Sequence, residues 1–115
     1  MKFLSGLFRS RKYMDMNGND LNQMIRENMN LIILDVRSKE EYKASHIPNA
    51  INIPVDDIYN KLSSINPYKS NIIVVYCQSG QRSARACDIL SKNRFEKIYN
   101  LKGGIKSYKG KLERY

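Results

Sequence analysis

The chain has no tryptophan, one histidine (His46), two cysteines and three prolines in 115 residues. Each scarcity excludes something. Two thiols, Cys77 and Cys87, are too few to staple a disulfide-rich secreted scaffold, and with His46 alone beside them a zinc site lacks ligands. The sequence therefore predicts free-thiol chemistry in a reducing compartment, without a metal or an organic cofactor. Long apolar runs are missing as well, since nothing approaches the roughly 20 residues of a membrane span. The N-terminal "FLSGLF" is short for a signal segment, is interrupted by serine and glycine, and is not followed by a small-residue cleavage site. A cytoplasmic location is the expectation.

Acidic residues are also few, 11 against 20 lysines and arginines, for a net charge of +9. The excess sits at the two ends. Residues 1–12 carry Lys2, Arg9, Arg11 and Lys12 with no acid, and residues 102–115 carry five cations against Glu113, whereas the middle of the chain is nearly balanced. A nucleic-acid-binding face would interleave cations and aromatics through the body of the domain, so no nucleic-acid partner is expected. Solvated tails are the simplest reading. At most, the N-terminal tail makes a weak contact with an anionic membrane surface. The length suits one compact domain, placed at residues 13–115 behind a basic tail at 1–12.

What is present is an alternation of strand-like and helical stretches. Asn17 can cap a helix carrying Leu21, Met24 and Ile25 at helical spacing, with Asp20 near its positive end. "LIILDV" (31–36) and "NIIVVY" (71–76) are continuous apolar runs of the kind that strands buried on both faces require. "SKEEYKASH" reads as a short helix capped by Ser38 and stopped by Pro48, "AINI" as a strand, and "VDDIYNKLSSI" as another helix started near Asp56 or Asp57. "RSARACDILSKN" gives a helix, "KIYNL" a last strand, and Gly103 and Gly104 break it before a final helical turn. This rhythm predicts an α/β fold, a single doubly wound domain with a mainly parallel central sheet and helices on both faces. Ligands of such sheets collect outside the carboxyl ends of the strands, where Cys77 ends "IIVVYC".

A free thiol, with a reference pKa near 8.5, is only about 3% thiolate at neutral pH. Gln78, Ser79, Gly80 and Gln81 separate Cys77 from a helix beginning near Arg82, and Gly80 can take a positive φ. A tight turn of this kind can direct successive amides inward, and the helix start adds its own unsatisfied amides and dipole. The stretch predicts an activated thiolate in a cup of donors, closed by the guanidinium fork of Arg82, with Arg85 at the rim. Cys87 repeats with Ala84 and Leu90 on one helical stripe, which suits a core residue; a resolving thiol is the alternative. Asp35 and Arg37, at a strand end, face the same crevice either as a brace for the cysteine loop or as a plain structural pair. Lys102 is a further candidate for positive field at the site.

At "CQSGQRS" the chain resembles the active-site loop of the rhodanese family of sulfurtransferases, and "LDVRSKEEYKASHIPNAINIP", "VVYCQSGQRS" and "LKGGIKSYKG" match that family in order over residues 13 to about 110. Family members often carry tryptophan near the C-terminus, where this chain has Tyr108. The resemblance implies a doubly wound domain in which Cys77 is the catalytic residue and Gln78, Ser79, Gly80, Gln81 and Arg82 form the substrate-binding loop, with Asp35 and Arg37 behind it. It further implies that Cys77 takes a sulfane sulfur from a small donor such as thiosulfate or a persulfide and passes it to a thiophilic acceptor, cyanide or a thiol. A carrier that receives persulfide from a sulfur-relay protein such as a cysteine desulfurase is the alternative. The resemblance places His46 in a structural turn. Related phosphatase and arsenate-reductase loops hold five residues between cysteine and arginine; the four here favour a single sulfur atom over a tetrahedral phosphate.

Overall fold

A computed structural model describes residues 12–115. The basic tail expected at residues 1–12 lies outside the described residues, save for Lys12. Five parallel strands form one sheet: β1 (Met14–Met16), β2 (Leu31–Asp35), β3 (Ile51–Asn52), β4 (Ile72–Tyr76) and β5 (Ile98–Leu101), in the spatial order β1-β5-β4-β2-β3. The helices are α1 (Gly18–Arg26), α2 (Lys39–Ala44), α3 (Leu62–Ile65) and α4 (Gln81–Lys92), with 3-10 turns between Val55 and Tyr68 and at Gly104–Ser107.

The two apolar runs occupy neighbouring inner positions of the sheet, where both faces are covered. Their side chains alternate between two cores, as a period of two dictates. Leu34, Ile73, Val75 and Cys77 pack with Ala86, Cys87 and Leu90 of α4, whereas Ile33, Val74 and Tyr76 pack with Leu21 of α1 and with Ile105 and Tyr108 on the opposite face. Each fully buried aliphatic side chain contributes about 1.5–3 kcal/mol. The register sets Asp35 beside Tyr76 and Val75 beside Asn100, so the carboxyl ends of the three strands open on one edge.

Capping follows the sequence expectation at two helices. The Asp20 amide donates to Asn17 Oδ1 at 2.7 Å, and Ser38 forms a reciprocal capping box with Glu41, whose amide donates to Ser38 Oγ at 3.1 Å while the Ser38 amide donates to Glu41 Oε1 at 2.9 Å. Elsewhere the structure corrects the expectation. The helix from Ser38 ends at Ala44, ahead of Pro48. "VDDIYNKLSSI" is two 3-10 turns followed by the single-turn α3, none with a side-chain cap; Asp56 and Asp57 are exposed and cap nothing. The edge strand β1 escapes notice in the sequence because it is three residues long and Met14 and Asp15 are exposed.

Candidate active site

Cys77 follows the last residue of β4, and the chain then turns through 78–80 into α4. Gly80 makes the turn at φ +114°, a left-handed conformation that an L-residue with a Cβ adopts only under strain. This aims the loop at the sulfur. The Gly80 amide donates to Cys77 Sγ at 3.1 Å, the Ser83 amide donates to it at 3.3 Å, and Ser83 Oγ lies 3.3 Å from the same atom. Burial opposes ionisation of the thiol, but the Ser83 hydroxyl, then the amides of Ser83, Gly80 and Ser79, outweigh it and hold the Cys77 pKa below its ordinary value.

The loop is fixed from behind. The Ile105 amide donates to Cys77 O at 2.9 Å, and Gly104, at φ +68°, lies so close that a Cβ there would stand 2.3 Å from Gln78 O. The carbonyl of Gly80 accepts from the Ala84 amide at 3.2 Å and from Asn100 Nδ2 at 3.3 Å. Close backbone approach therefore explains the glycine pair after β5, which the sequence showed only as a strand breaker.

Of the residues expected around the thiol, Gly80 stands in place through its amide, Gln78 is half-buried, and Ser79 and Gln81 are exposed. Arg82, expected to close the cup with its guanidinium fork, is engaged by another side chain. Its fork is taken by Glu41, at 2.7 Å and 2.9 Å, and this contact, reinforced by Ser38, draws the Glu41 carboxyl down to about 2. Arg85 pairs with Asp56 at 3.0 Å on the exposed surface. Asp35 and Arg37 form a buried two-pronged ion pair, with Arg37 also donating to Ser45 O at 2.6 Å and lying over the Tyr76 ring. Asn52 Nδ2 ties down both carbonyls, Asp35 O and Arg37 O, at 3.0 Å. These contacts hold the end of β2, where Asp35 is in register with Tyr76, the residue before Cys77.

Ser83 is the site residue that sequence reading missed. As the third residue of α4 it owns one of the helix's unsatisfied amides, and its position below the turn brings both that amide and its hydroxyl to the sulfur. Cys87 is fully buried in the core and forms no disulfide with Cys77. His46 is buried in the turn after α2, with Nδ1 2.7 Å from Tyr42 O and its ring stacked on Tyr42. Lys102 is exposed beside the glycine pair. Among the described residues, no group of three histidine, cysteine or acidic side chains could hold a metal ion.

A thiol ending a parallel strand, cradled by the amides of a glycine turn and a helix start, agrees with what sequence comparison finds: residues 18–111 match the rhodanese-like domain. The chain belongs to the rhodanese-like domain family. It is 36% identical over 73 residues to the thiosulfate sulfurtransferase PspE of Escherichia coli (strain K12), covering 64% of this chain and 69% of that protein. It is 34% identical over 91 residues to the putative sulfur carrier protein YrkF of Bacillus subtilis (strain 168), covering 79% of this chain and 48% of that protein. The crystal structure of a rhodanese-like domain protein from Staphylococcus aureus superposes with a TM-score of 0.77 at 32% identity, covering 90% of this chain and 98% of that one. The chain spans 22–48% of the length of several curated relatives, so the rhodanese-like domain is one part of those longer proteins. The fold is the doubly wound α/β domain that the alternation of elements predicted.

Proposed function

We propose that this rhodanese-like domain is a sulfurtransferase that works through a persulfide on Cys77. The observation that carries the reading is the convergence of the Gly80 and Ser83 amides and the Ser83 hydroxyl on Cys77 Sγ. In the first step the Cys77 thiolate attacks the outer sulfur of thiosulfate or of a persulfide donor. The new S–S bond forms as the donor's S–S bond breaks, and sulfite or a thiolate leaves with the electron pair. In the second step cyanide or a thiolate attacks the outer sulfur and Cys77 departs as thiolate. Neither step transfers a proton to the leaving group at neutral pH, which suits a site whose nearest groups to the sulfur are hydrogen-bond donors. The exchange predicts ping-pong kinetics.

The pairing of Arg82 with Glu41 favours a second reading in which a partner protein, such as a cysteine desulfurase, loads the thiol and small dianionic donors turn over poorly. The work would proceed in the cytoplasm, and among the described residues no helix is long and apolar enough to cross a membrane. Intact mass after exposure to thiosulfate and to a small persulfide tests the reading: a gain of about 32 Da, one sulfur atom, localised to Cys77 and released by cyanide as thiocyanate, is expected. No gain from any donor, or a gain that persists in Cys77→Ala, overturns it. Gain only from a loaded partner protein selects the carrier.

A further inference from the structure

Asn100 is a buried polar residue of β5, set between Val75 of β4 and Asp15 of the edge strand β1. It is 94% buried, since only 6% of it is exposed. Its neighbours Val75 and Ile98 belong to the core under α4. Only one end of its carboxamide has a partner: Nδ2 donates to Gly80 O at 3.3 Å, while Oδ1 is the one buried side-chain nitrogen or oxygen among the described residues without a hydrogen bond. An orphaned buried acceptor lowers stability, and an apolar side chain of the same size would remove that cost. Folding alone therefore does not explain why an amide stands there.

We propose that Asn100 is a positioning residue for the cysteine loop, holding the carbonyl of Gly80 so that the turn presents its amides to Cys77 Sγ. The chain of contacts is short. Gly80 is the pivot of the loop, at φ +114° and ψ −10°, and glycine alone restrains neither angle. Its amide faces the sulfur, and its carbonyl accepts from Asn100 Nδ2 beside the Ala84 amide that opens α4, so Asn100 adds a side-chain hold on the end of the residue opposite the sulfur. Because a trans peptide points its N–H opposite to its C=O, fixing Gly80 O toward Asn100 also turns the Gln81 amide away from the core, to the open side at the start of α4. A loosened Gly80 would let the turn relax and withdraw a donor from the thiolate. The lowered Cys77 pKa agrees with this hold in its direction.

The inference rests on the sulfur-transfer reading only in taking Cys77 as the reacting group, and its test needs no donor or acceptor. The rate of Cys77 alkylation by iodoacetamide, followed against pH by peptide mapping so that Cys87 is read separately, is compared between the native protein and Asn100→Leu, alongside the midpoint of thermal unfolding. The expected result is a rise of roughly half to one pH unit in the alkylation midpoint with no fall in thermal midpoint. An alkylation midpoint unmoved from the native one overturns the proposal, and a lowered thermal midpoint beside it would mark Asn100 as structural only. If Asn100→Leu does not fold, Asn100→Ala is read by the same criterion. A native midpoint already at the ordinary thiol value removes the thiolate reading as well as this one, whereas a depressed native midpoint unchanged in the variants removes the role of Asn100 alone.

Discussion

Replacing Ser83 by alanine isolates the side-chain donor nearest the reactive sulfur. The change deletes Oγ, 3.3 Å from Sγ, but leaves the residue's amide, also at 3.3 Å, and the Gly80 amide at 3.1 Å in place. A hydrogen bond to a charged group contributes about 1.5–3 kcal/mol, and one pKa unit corresponds to about 1.36 kcal/mol. With two amides remaining to share the charge, the lower end applies, and the Cys77 pKa should rise by about one unit. Below the native midpoint only the thiolate fraction limits alkylation, so the iodoacetamide rate should fall roughly tenfold there. Above the variant's midpoint both proteins are fully ionised and the rates should converge, with a slight excess for the more basic thiolate. The fold should be nearly indifferent, because the hydroxyl's contact is with the sulfur itself. Coincident pH–rate curves for the two proteins would show that the hydroxyl does not support the anion, and would refute the donor-cup reasoning at its largest side-chain contribution.

Other consequences follow from the same geometry. Because the Cys77 pKa is lowered on folding, the unfolded chain binds the extra proton, so stability should rise with pH from the folded pKa up to the unfolded value near 8.5; Cys77→Ala should flatten that rise in denaturant titrations. Glu41→Gln keeps the capping geometry but frees the Arg82 fork. It should lower the KM for an anionic donor such as thiosulfate, and any stability difference from the native protein should vanish as pH falls from about 4.5 toward 2, where the native carboxyl also takes its proton. Asp35→Asn leaves Arg37 buried beside a neutral partner, and chemical denaturation should show a loss of about 3–5 kcal/mol. Gly104→Ala should damage the site more than Gly80→Ala, since its Cβ would strike Gln78 O whereas that of Gly80 meets nothing closer than 3.7 Å; comparing their sulfur-transfer rates and thermal midpoints checks the order.

The legible features were those that a few neighbouring residues decide. The apolar runs of β2 and β4, the caps at Asn17 and Ser38, and the left-handed turn at Gly80 each follow from local chemistry, and all hold in the structure. Residues brought together by the sheet were not legible. Glu41 meets Arg82 from 41 positions away, and Asn100 meets Gly80 from 20. No local pattern marks either pair. Ser83 is intermediate, being close in sequence to Cys77 but placed under the turn only by the direction in which α4 starts. The segment after Pro54 failed for another reason: Val55 and Ile58 are buried three residues apart, which a 3-10 turn satisfies as well as an α-helix.

The donor cup is tested most directly by titrating the ultraviolet thiolate absorbance of the native protein against that of Cys77→Ala. The difference should appear with a midpoint well below the free-cysteine value of about 8.5. A midpoint at or above that value would mean that burial, and not the converging amides, governs the sulfur, and would contradict the activation on which sulfur transfer at Cys77 depends.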